Sequence, residues 1–201
     1  MASVLLVERE GPVATLIMNR PQTKNALDPE LLEALASGLN EAAADESVRA
    51  VVLTGAGDAF CSGADLGPRI AKFHALIRAI VEAPKPFIAA VRGPAVGFGA
   101  DLALACDLRV FAQDAYIQEK FVAIGLMPDG GGSFWLPRLV GLGRALEFLL
   151  LGTRIGIVED GKMAQLSSPH DFVSSQDETA KAYLANFRLY ESAERQAEGA
   201  A

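Results

Sequence analysis

The chain has 201 residues, of which 51% are hydrophobic, and a formal net charge of −7. This length and composition suit one domain with a buried core, and the negative charge argues against non-specific binding to nucleic acid. No apolar run is long enough to cross a bilayer, and the N-terminal residues lack the basic and apolar regions of a secretory signal. We therefore expect a cytoplasmic protein that neither binds nucleic acid nor spans a membrane.

Strand-like and helix-like segments alternate after an opening hairpin. The predicted strands are Val4–Arg9, Val13–Met18, Arg49–Leu53, Pro86–Val91 and Leu108–Phe111. The first predicted helix begins at Pro29, directly after the capping residue Asp28. The later predicted helices are Arg69–Glu82, Ala100–Ala105 and Arg138–Leu151, the last of them interrupted at Gly141 and Gly143. This alternation predicts an α/β fold with crossover connections, in which ligands bind at loops beyond the strand ends.

The pattern changes near residue 153. The residues that follow have weak periodicity, and Asp177–Gln196 fits one amphipathic helix. We therefore divide the chain into a core domain over residues 1–152 and an atypical C-terminal segment over residues 153–201.

The cysteines and histidines have no spacing typical of a metal site or a disulfide framework. Cys61 and Cys106 are far apart in the sequence, and His74 and His170 have no ligand residues clustered beside them. We expect two reduced thiols and no bound metal.

Two glycine-rich turns carry the candidate chemistry. The first reads V-G-F-G-A-D and contains Asp101, and the second reads G-L-M-P-D-G-G-G and contains Asp129. Glycine turns present backbone N–H groups to a ligand, and an aspartate among apolar neighbours can act as an acid or base near neutral pH. Together they suggest proton transfer beside an oxygen that becomes negatively charged.

Structural roles for both aspartates compete with catalytic ones. Asp129 could be a turn residue or the cap of a following helix, and Asp101 could be a carboxylate favoured at a helix start. Ser62 and Ser133 also lie beside glycines, but no histidine accompanies them in a pattern that would predict a hydrolase triad.

Several motifs in a fixed order resemble the enoyl-CoA hydratase/isomerase (crotonase) family. The resembling segments are N-R-P-Q-T-K-N-A-L at Asn19–Leu27, V-V-L-T-G-A-G-D-A-F-C-S-G-A-D-L at Val51–Leu66, the stretch Lys85–Asp107, Gly125–Gly132 and Leu136–Gly141. The resemblance implies a crotonase-like (ClpP/crotonase) spiral of β-β-α repeats. It also implies a homo-oligomer, a trimer or hexamer, provided that the shortened C-terminal part permits assembly.

The resemblance further implies that the substrate is an acyl-CoA thioester. No separate cofactor is expected, because coenzyme A is part of that substrate. The backbone N–H groups of Ala64 and Phe98 would form the oxyanion hole that holds the thioester oxygen. The residues implied in substrate binding are Lys24, Ala26, Leu27, Asp65, Leu66 and Gly97.

The proton-transfer residues depart from the hydratase pattern. Hydratases of the family use two glutamates, and the corresponding positions are Asp101 and Phe121, whose ring cannot transfer a proton. Asp129 instead stands where isomerases of the phenylacetate-pathway type and dienoyl-CoA isomerases have a proton-shuttling aspartate. The resemblance therefore favours an isomerase in which Asp129 is catalytic, with Asp101 as a second catalytic carboxylate.

Two alternatives stay open from the sequence. The first is a hydratase that uses Asp101 and Glu119, although Glu119 need not face the same space as Asp101. The second is a non-catalytic protein that binds CoA thioesters, because the family pattern is lost after Gly152. Loss of that C-terminal part would leave apolar surface uncovered.

Overall fold

A computed structural model describes residues 3–64, 70–152 and 154–156. The strands are β1 (Leu5–Glu10), β2 (Val13–Met18), β3 (Ala50–Gly55), β4 (Phe87–Val91), β5 (Pro94–Val96), β6 (Leu108–Phe111), β7 (Tyr116–Gln118) and β8 (Arg154–Gly156). The helices are α1 (Pro29–Ala44), α2 (Ile70–Val81), α3 (Phe98–Ala105), α4 (Gly132–Val140) and α5 (Leu142–Leu151), with 3₁₀ turns at Pro21–Thr23 and Phe121–Ile124.

The larger sheet has the strand order β1-β2-β3-β4-β6. Strands β1 and β2 form the predicted antiparallel hairpin, and every later neighbour pairs in parallel. Parallel neighbours need crossover connections, and α1, α2 and α3 occupy those crossovers in chain order. The predicted α/β alternation is therefore present in the sheet.

Helix α1 shows how a local signal in the sequence fixes an element. The Asp28 carboxylate accepts a hydrogen bond from the Leu31 N–H at 2.9 Å, as a capping residue should. Leu31, Leu35 and Leu39 follow at helical spacing and are fully buried. This apolar face packs the helix against the first two strands and α2.

The second sheet, with the order β5-β7-β8, was missed by the sequence interpretation. Strand β5 begins at Pro94, directly after Gly93, and pairs in parallel with β7. Strands of three residues carry too little alternation to be recognised from sequence. This sheet is important because the first glycine turn follows β5 and Glu119 follows β7.

The predicted helix at Arg138–Leu151 was wrong in its start, whereas the predicted interruption at Gly141 is confirmed. Helix α4 already begins at Gly132, and a break at Gly141 separates it from α5. Gly141 has φ 80° and ψ 158°, which takes it out of helical geometry. Gly143, by contrast, lies inside α5 and does not interrupt it.

The two cysteines are free and buried. The described residues contain no helix long and apolar enough to cross a membrane, and no group of potential metal ligands of three or more. The C-terminal segment predicted over residues 153–201, with its amphipathic helix, lies outside the described residues apart from the short strand β8.

Candidate active site

The two predicted oxyanion donors lie on adjacent backbone segments. Cys61 and Ala95 form a parallel bridge, and the Val96 N–H donates to the Cys61 carbonyl at 2.9 Å. Ala64 and Phe98 each stand three residues beyond this bridge. Within the described part of the chain, neither backbone N–H is used in a hydrogen bond. No described residue therefore occupies either N–H group, and their role as oxyanion donors stays a prediction.

Glycines permit the close approach of these two segments. Gly97 has φ 54° and ψ −124°, a conformation that residues with a side chain rarely adopt, and it turns the chain from β5 into α3. A Cβ atom at Gly99 would collide with the Cys61 carbonyl oxygen and lie 2.8 Å from its carbon. The free N–H of Phe98 lies in the first turn of α3, where the helix dipole favours negative charge.

The loop before α1 runs beside the Ala64 segment. The Leu27 N–H donates to the Gly63 carbonyl at 2.9 Å, and Leu27 forms a parallel bridge with Ala64. The Ser62 N–H donates to the Lys24 carbonyl at 2.9 Å. The structure thus brings the predicted binding residues Lys24, Ala26 and Leu27 alongside Ala64, one of the two predicted oxyanion donors. The predicted binding residues Asp65 and Leu66 lie outside the described residues.

Asn25 holds this loop in place and was missed by the sequence interpretation. It is fully buried and has the unusual φ of 57°. Its side-chain amide donates to the carbonyls of Ala56 and Ala59 at 2.9 and 2.8 Å, and its oxygen accepts from the Arg20 N–H. Asparagine is among the residues that tolerate a left-handed backbone conformation. The asparagine of the motif N-A-L could therefore have indicated a residue with positive φ at this point of the loop.

Asp101 anchors the second glycine turn. It is fully buried in α3, and its two carboxylate oxygens accept hydrogen bonds from the N–H groups of Gly132 at 2.6 Å and Gly130 at 3.1 Å. Burial raises the pKa of Asp101, these two hydrogen bonds oppose the rise, and the negative charge of Asp129 adds to it. The two predicted catalytic aspartates are therefore brought together by the turn that links them.

Glu119 faces the same space, contrary to the concern raised by its sequence position. It is 1% exposed, and a Cβ atom at Gly132 would collide with one Glu119 carboxyl oxygen while lying 2.8 Å from Oδ1 of Asp101. Ile117, two residues earlier, is also buried. Side chains two residues apart on a strand point to the same face. Continuing this alternation from Ile117 past the end of β7 could have predicted that Glu119 is buried as well.

Burial is the main cause that raises the pKa of Glu119, and the charges of Asp101 and Asp129 raise it further. Neither carboxyl oxygen has a hydrogen-bond partner among the described residues. Ionisation of Glu119 is therefore opposed by three effects, and no donor among the described residues stabilises the charged form.

Asp129 lies in the second glycine turn and has one carboxylate oxygen that accepts no hydrogen bond from a described residue. Its Oδ1 is buried and has no hydrogen-bond partner among the described residues, as is also true of the indole N–H of Trp135. The residue at the N-cap of α4 is Gly131, and no side chain caps this helix. The alternative interpretation of Asp129 as a helix cap was therefore wrong, whereas its interpretation as a turn residue is not tested by this geometry.

Phe121 is the residue that the sequence resemblance assigned to the position of a hydratase's second glutamate. The ring is buried, and its Cζ atom lies 3.9 Å from the Cβ position of Gly97. The position thus lies beside the first glycine turn and offers no group for proton transfer.

The raised pKa of Glu119 predicts a dependence of stability on pH. The pKa rises on folding from the ordinary 4.5 to about 9, so the folded state binds the proton more tightly than the unfolded state. The contribution is complete below pH 4.5 and is lost as the pH rises toward 9. Glu119→Gln, which cannot ionise, should flatten the fall in unfolding free energy over this range. Urea titrations at several pH values measure it, with the exposed Glu10→Gln as the control that should keep the wild-type slope.

Known proteins resemble this chain in sequence and in fold. The family model described as enoyl-CoA hydratase/isomerase matches residues 8–166. A probable enoyl-CoA hydratase of Rhodobacter capsulatus is 42% identical over 162 residues, which cover 75% of this chain and 62% of that protein. A 1,2-epoxyphenylacetyl-CoA isomerase of Escherichia coli is 37% identical over 170 residues, which cover 77% of this chain and 65% of that protein.

The solved structures include an enoyl-CoA hydratase from a Polaromonas species with a TM-score of 0.71 and 38% identity, covering 76% of this chain and 65% of that chain. The predicted crotonase-like fold is therefore confirmed. The chain spans less than two thirds of the length of each of these three proteins, at 62%, 65% and 65%.

Proposed function

Because the chain belongs to the enoyl-CoA hydratase/isomerase family, we propose that it is an acyl-CoA isomerase that shifts a double bond through an enolate. The thioester oxygen would be held by the N–H groups of Ala64 and Phe98, and Asp129 would carry the proton. Lys24, Ala26, Leu27 and Gly97 would bind the CoA thioester, since three of them line the Ala64 segment and the fourth precedes Phe98.

One observation supports this reaction above the others: Asp129 has a buried oxygen that no described group occupies. Both oxygens of Asp101 already accept backbone N–H groups, so Asp101 is the carboxylate that fixes the turn carrying Asp129. Phe121 cannot supply a second proton-transfer group. A single free carboxylate suits an isomerisation, because one group can remove and return the same proton and no water needs activation.

In the proposed reaction, Asp129 takes a proton from the carbon that lies between the thioester carbonyl and the double bond. The C–H bonding electrons become the conjugated enolate, and the negative charge moves from the carboxylate to the thioester oxygen. Two N–H donors and the positive end of α3 stabilise that charge. The protonated Asp129 then returns its proton to a more distant carbon, which leaves the double bond conjugated with the carbonyl.

A hydratase remains the second candidate because a carboxyl oxygen of Glu119 and one of Asp101 both lie close to the Cβ position of Gly132. Two nearby carboxyls could in principle position and deprotonate a water. The two hydrogen bonds that Asp101 accepts argue against this role, since a base tied to two backbone donors has less capacity to bind water.

The test is an ultraviolet assay of the full chain with a 3-enoyl-CoA, in which conjugation with the thioester produces new absorbance. We expect the signal without any gain of mass in the product. A hydratase would leave the 3-enoyl-CoA unconverted, because water adds to a double bond that is conjugated with the thioester, but would add one water to a 2-enoyl-CoA. Binding without conversion of either thioester, measured by calorimetry, would support a non-catalytic CoA-thioester-binding protein. The prediction of a trimer or hexamer is checked on the same sample by light scattering.

A further inference from the structure

Arg20 is a charged residue that the proposed reaction leaves without a role, and its side chain is largely buried, at 17% exposed. Its Nη1 donates a hydrogen bond to the Ala26 carbonyl at 2.5 Å, and its Nη2 lies 3.0 Å from Oδ2 of Asp28. Charge-assisted contacts are shorter and stronger than neutral hydrogen bonds. The guanidinium therefore joins the predicted binding residue Ala26 to the residue that caps α1.

Arg20 also holds the loop of residues 21–27 through its main chain. Its N–H donates to the side-chain oxygen of Asn25 at 2.9 Å, and its carbonyl accepts from the N–H groups of Thr23 and Asn25 at 3.0 and 2.9 Å. Removing the guanidinium alone would leave these bonds in place. The side chain of Arg20 is therefore what fixes the far end of the loop, at Ala26.

Asp28 connects this contact to the start of α1. Its Oδ1 accepts the capping hydrogen bond from the Leu31 N–H at 2.9 Å, while Oδ2 faces Arg20. A carboxylate is favoured at this end of a helix by the dipole as well as by the cap. The far end of the loop is therefore tied to the start of a helix that packs into the core.

The loop follows a path that its own residues do not favour. Lys24 and Asn25 have φ of 52° and 57°, both in the left-handed region. Residues other than glycine persist there only where the surrounding structure holds them. Lys24 and Leu27 also contact the segment that carries Ala64, so a change in the path of the loop would reach this predicted oxyanion donor.

We propose that Arg20 is a positioning residue for binding of the acyl-CoA thioester. Its guanidinium, held by the Ala26 carbonyl and Asp28, keeps the loop on its strained path beside Ala64. The inference rests on the proposed function of this loop in thioester binding. A lysine cannot replace the arginine here, because its ammonium is a point charge without the planar fork that reaches two acceptors at once.

Arg20→Lys tests this role through its separate effects on KM and kcat. The variant keeps the charge and loses the fork, so we expect KM and the dissociation constant of the thioester to rise about tenfold, as for the loss of one hydrogen bond to a charged group. The kcat should stay within about twofold, since the contact supports binding of substrate and transition state alike. An unchanged KM, or a loss confined to kcat, would overturn the proposal.

Arg49→Lys is the matched control for this substitution. Arg49 is exposed and directly precedes β3, whereas the segment that carries Ala64 follows the opposite end of that strand. The same chemical change at this position should leave both KM and kcat at their wild-type values. A rise in KM equal to that of Arg20→Lys would contradict the proposal, since it would follow from any loss of an arginine.

Asp28→Asn distinguishes positioning from a direct contact between Arg20 and the ligand, and it carries the test if Arg20→Lys folds poorly. Asparagine still caps a helix but removes the charge that faces the guanidinium, so the dissociation constant should rise. In the double variant it should rise no further than in Arg20→Lys, because both changes break one interaction. Wild-type affinity in Asp28→Asn, or effects that simply add, would reject the positioning role.

Calorimetry with hexanoyl-CoA, a saturated thioester that has no double bond to shift, keeps this test separate from the isomerase assay. Weaker binding of hexanoyl-CoA by Arg20→Lys and by Asp28→Asn would support the positioning role even if the wild type shifts no double bond, an outcome that rejects the proposed reaction alone. Failure of the wild type to bind hexanoyl-CoA would overturn both.

Discussion

Replacing Asp129 with asparagine is expected to lower kcat for double-bond migration by roughly 10²- to 10⁴-fold, the contribution typical of a general base. Asparagine has nearly the same shape but cannot accept the proton. The buried oxygen of Asp129 has no partner among the described residues, so no described hydrogen bond to that atom is lost. Binding of the acyl-CoA should therefore persist, and calorimetry beside the ultraviolet assay measures both quantities.

The matched control is Asp114→Asn, which makes the same chemical change at an exposed position. It should retain wild-type activity. Turnover by Asp129→Asn at the rate of this control would reject the proposed role of Asp129. So would a loss of activity in Asp129→Asn that is fully explained by weaker binding of the thioester.

Replacing Gly99 with alanine is the second change for which we expect a large effect. The new Cβ atom would collide with the carbonyl oxygen of Cys61 and lie 2.8 Å from its carbon. The obstacle is backbone, so no rotamer change relieves it, and α3 must move away from the Ala64 segment. We expect kcat to fall about 10²- to 10³-fold, as when one oxyanion donor is lost, and the free energy of unfolding to fall by about 1–3 kcal/mol.

Gly143→Ala provides the control for this substitution. Gly143 lies within α5, and a Cβ atom there would meet nothing within 4 Å. Alanine favours a helix over glycine by about 1 kcal/mol, so this variant should be slightly more stable and fully active. Kinetics and thermal unfolding of the two variants measure the difference. Equal activity of Gly99→Ala and Gly143→Ala would show that the spacing of the two backbone segments is unimportant for the reaction.

The sequence predicted the larger sheet well because its signals are local. The cap at Asp28 and the leucine spacing behind it defined α1, and the hairpin and parallel strands followed from runs of β-branched residues. The second sheet could not be predicted in this way. Strands of three residues such as β5 and β7 are fixed by pairing with distant partners rather than by their own periodicity.

For the candidate site, too, some features could be predicted from the sequence and others depend on contacts between distant residues. Motif order pointed to Asp101, Asp129 and the two backbone donors, and the structure brings each pair together. The part played by Asp101 in holding the turn was not predictable, since its partners are backbone N–H groups 29 and 31 residues away. The inward position of Glu119 depended equally on long-range packing, although the alternation with Ile117 offered a weak indication.

The most direct test of the account is the fate of a 3-enoyl-CoA given to the purified full chain. Ultraviolet absorbance follows conjugation, and mass spectrometry of the product reports any added water. We predict a conjugated isomer of unchanged mass, formed by the wild type and by Asp114→Asn and strongly reduced in Asp129→Asn. A 3-enoyl-CoA that stays unconverted, or conversion that is indifferent to Asp129, would contradict it.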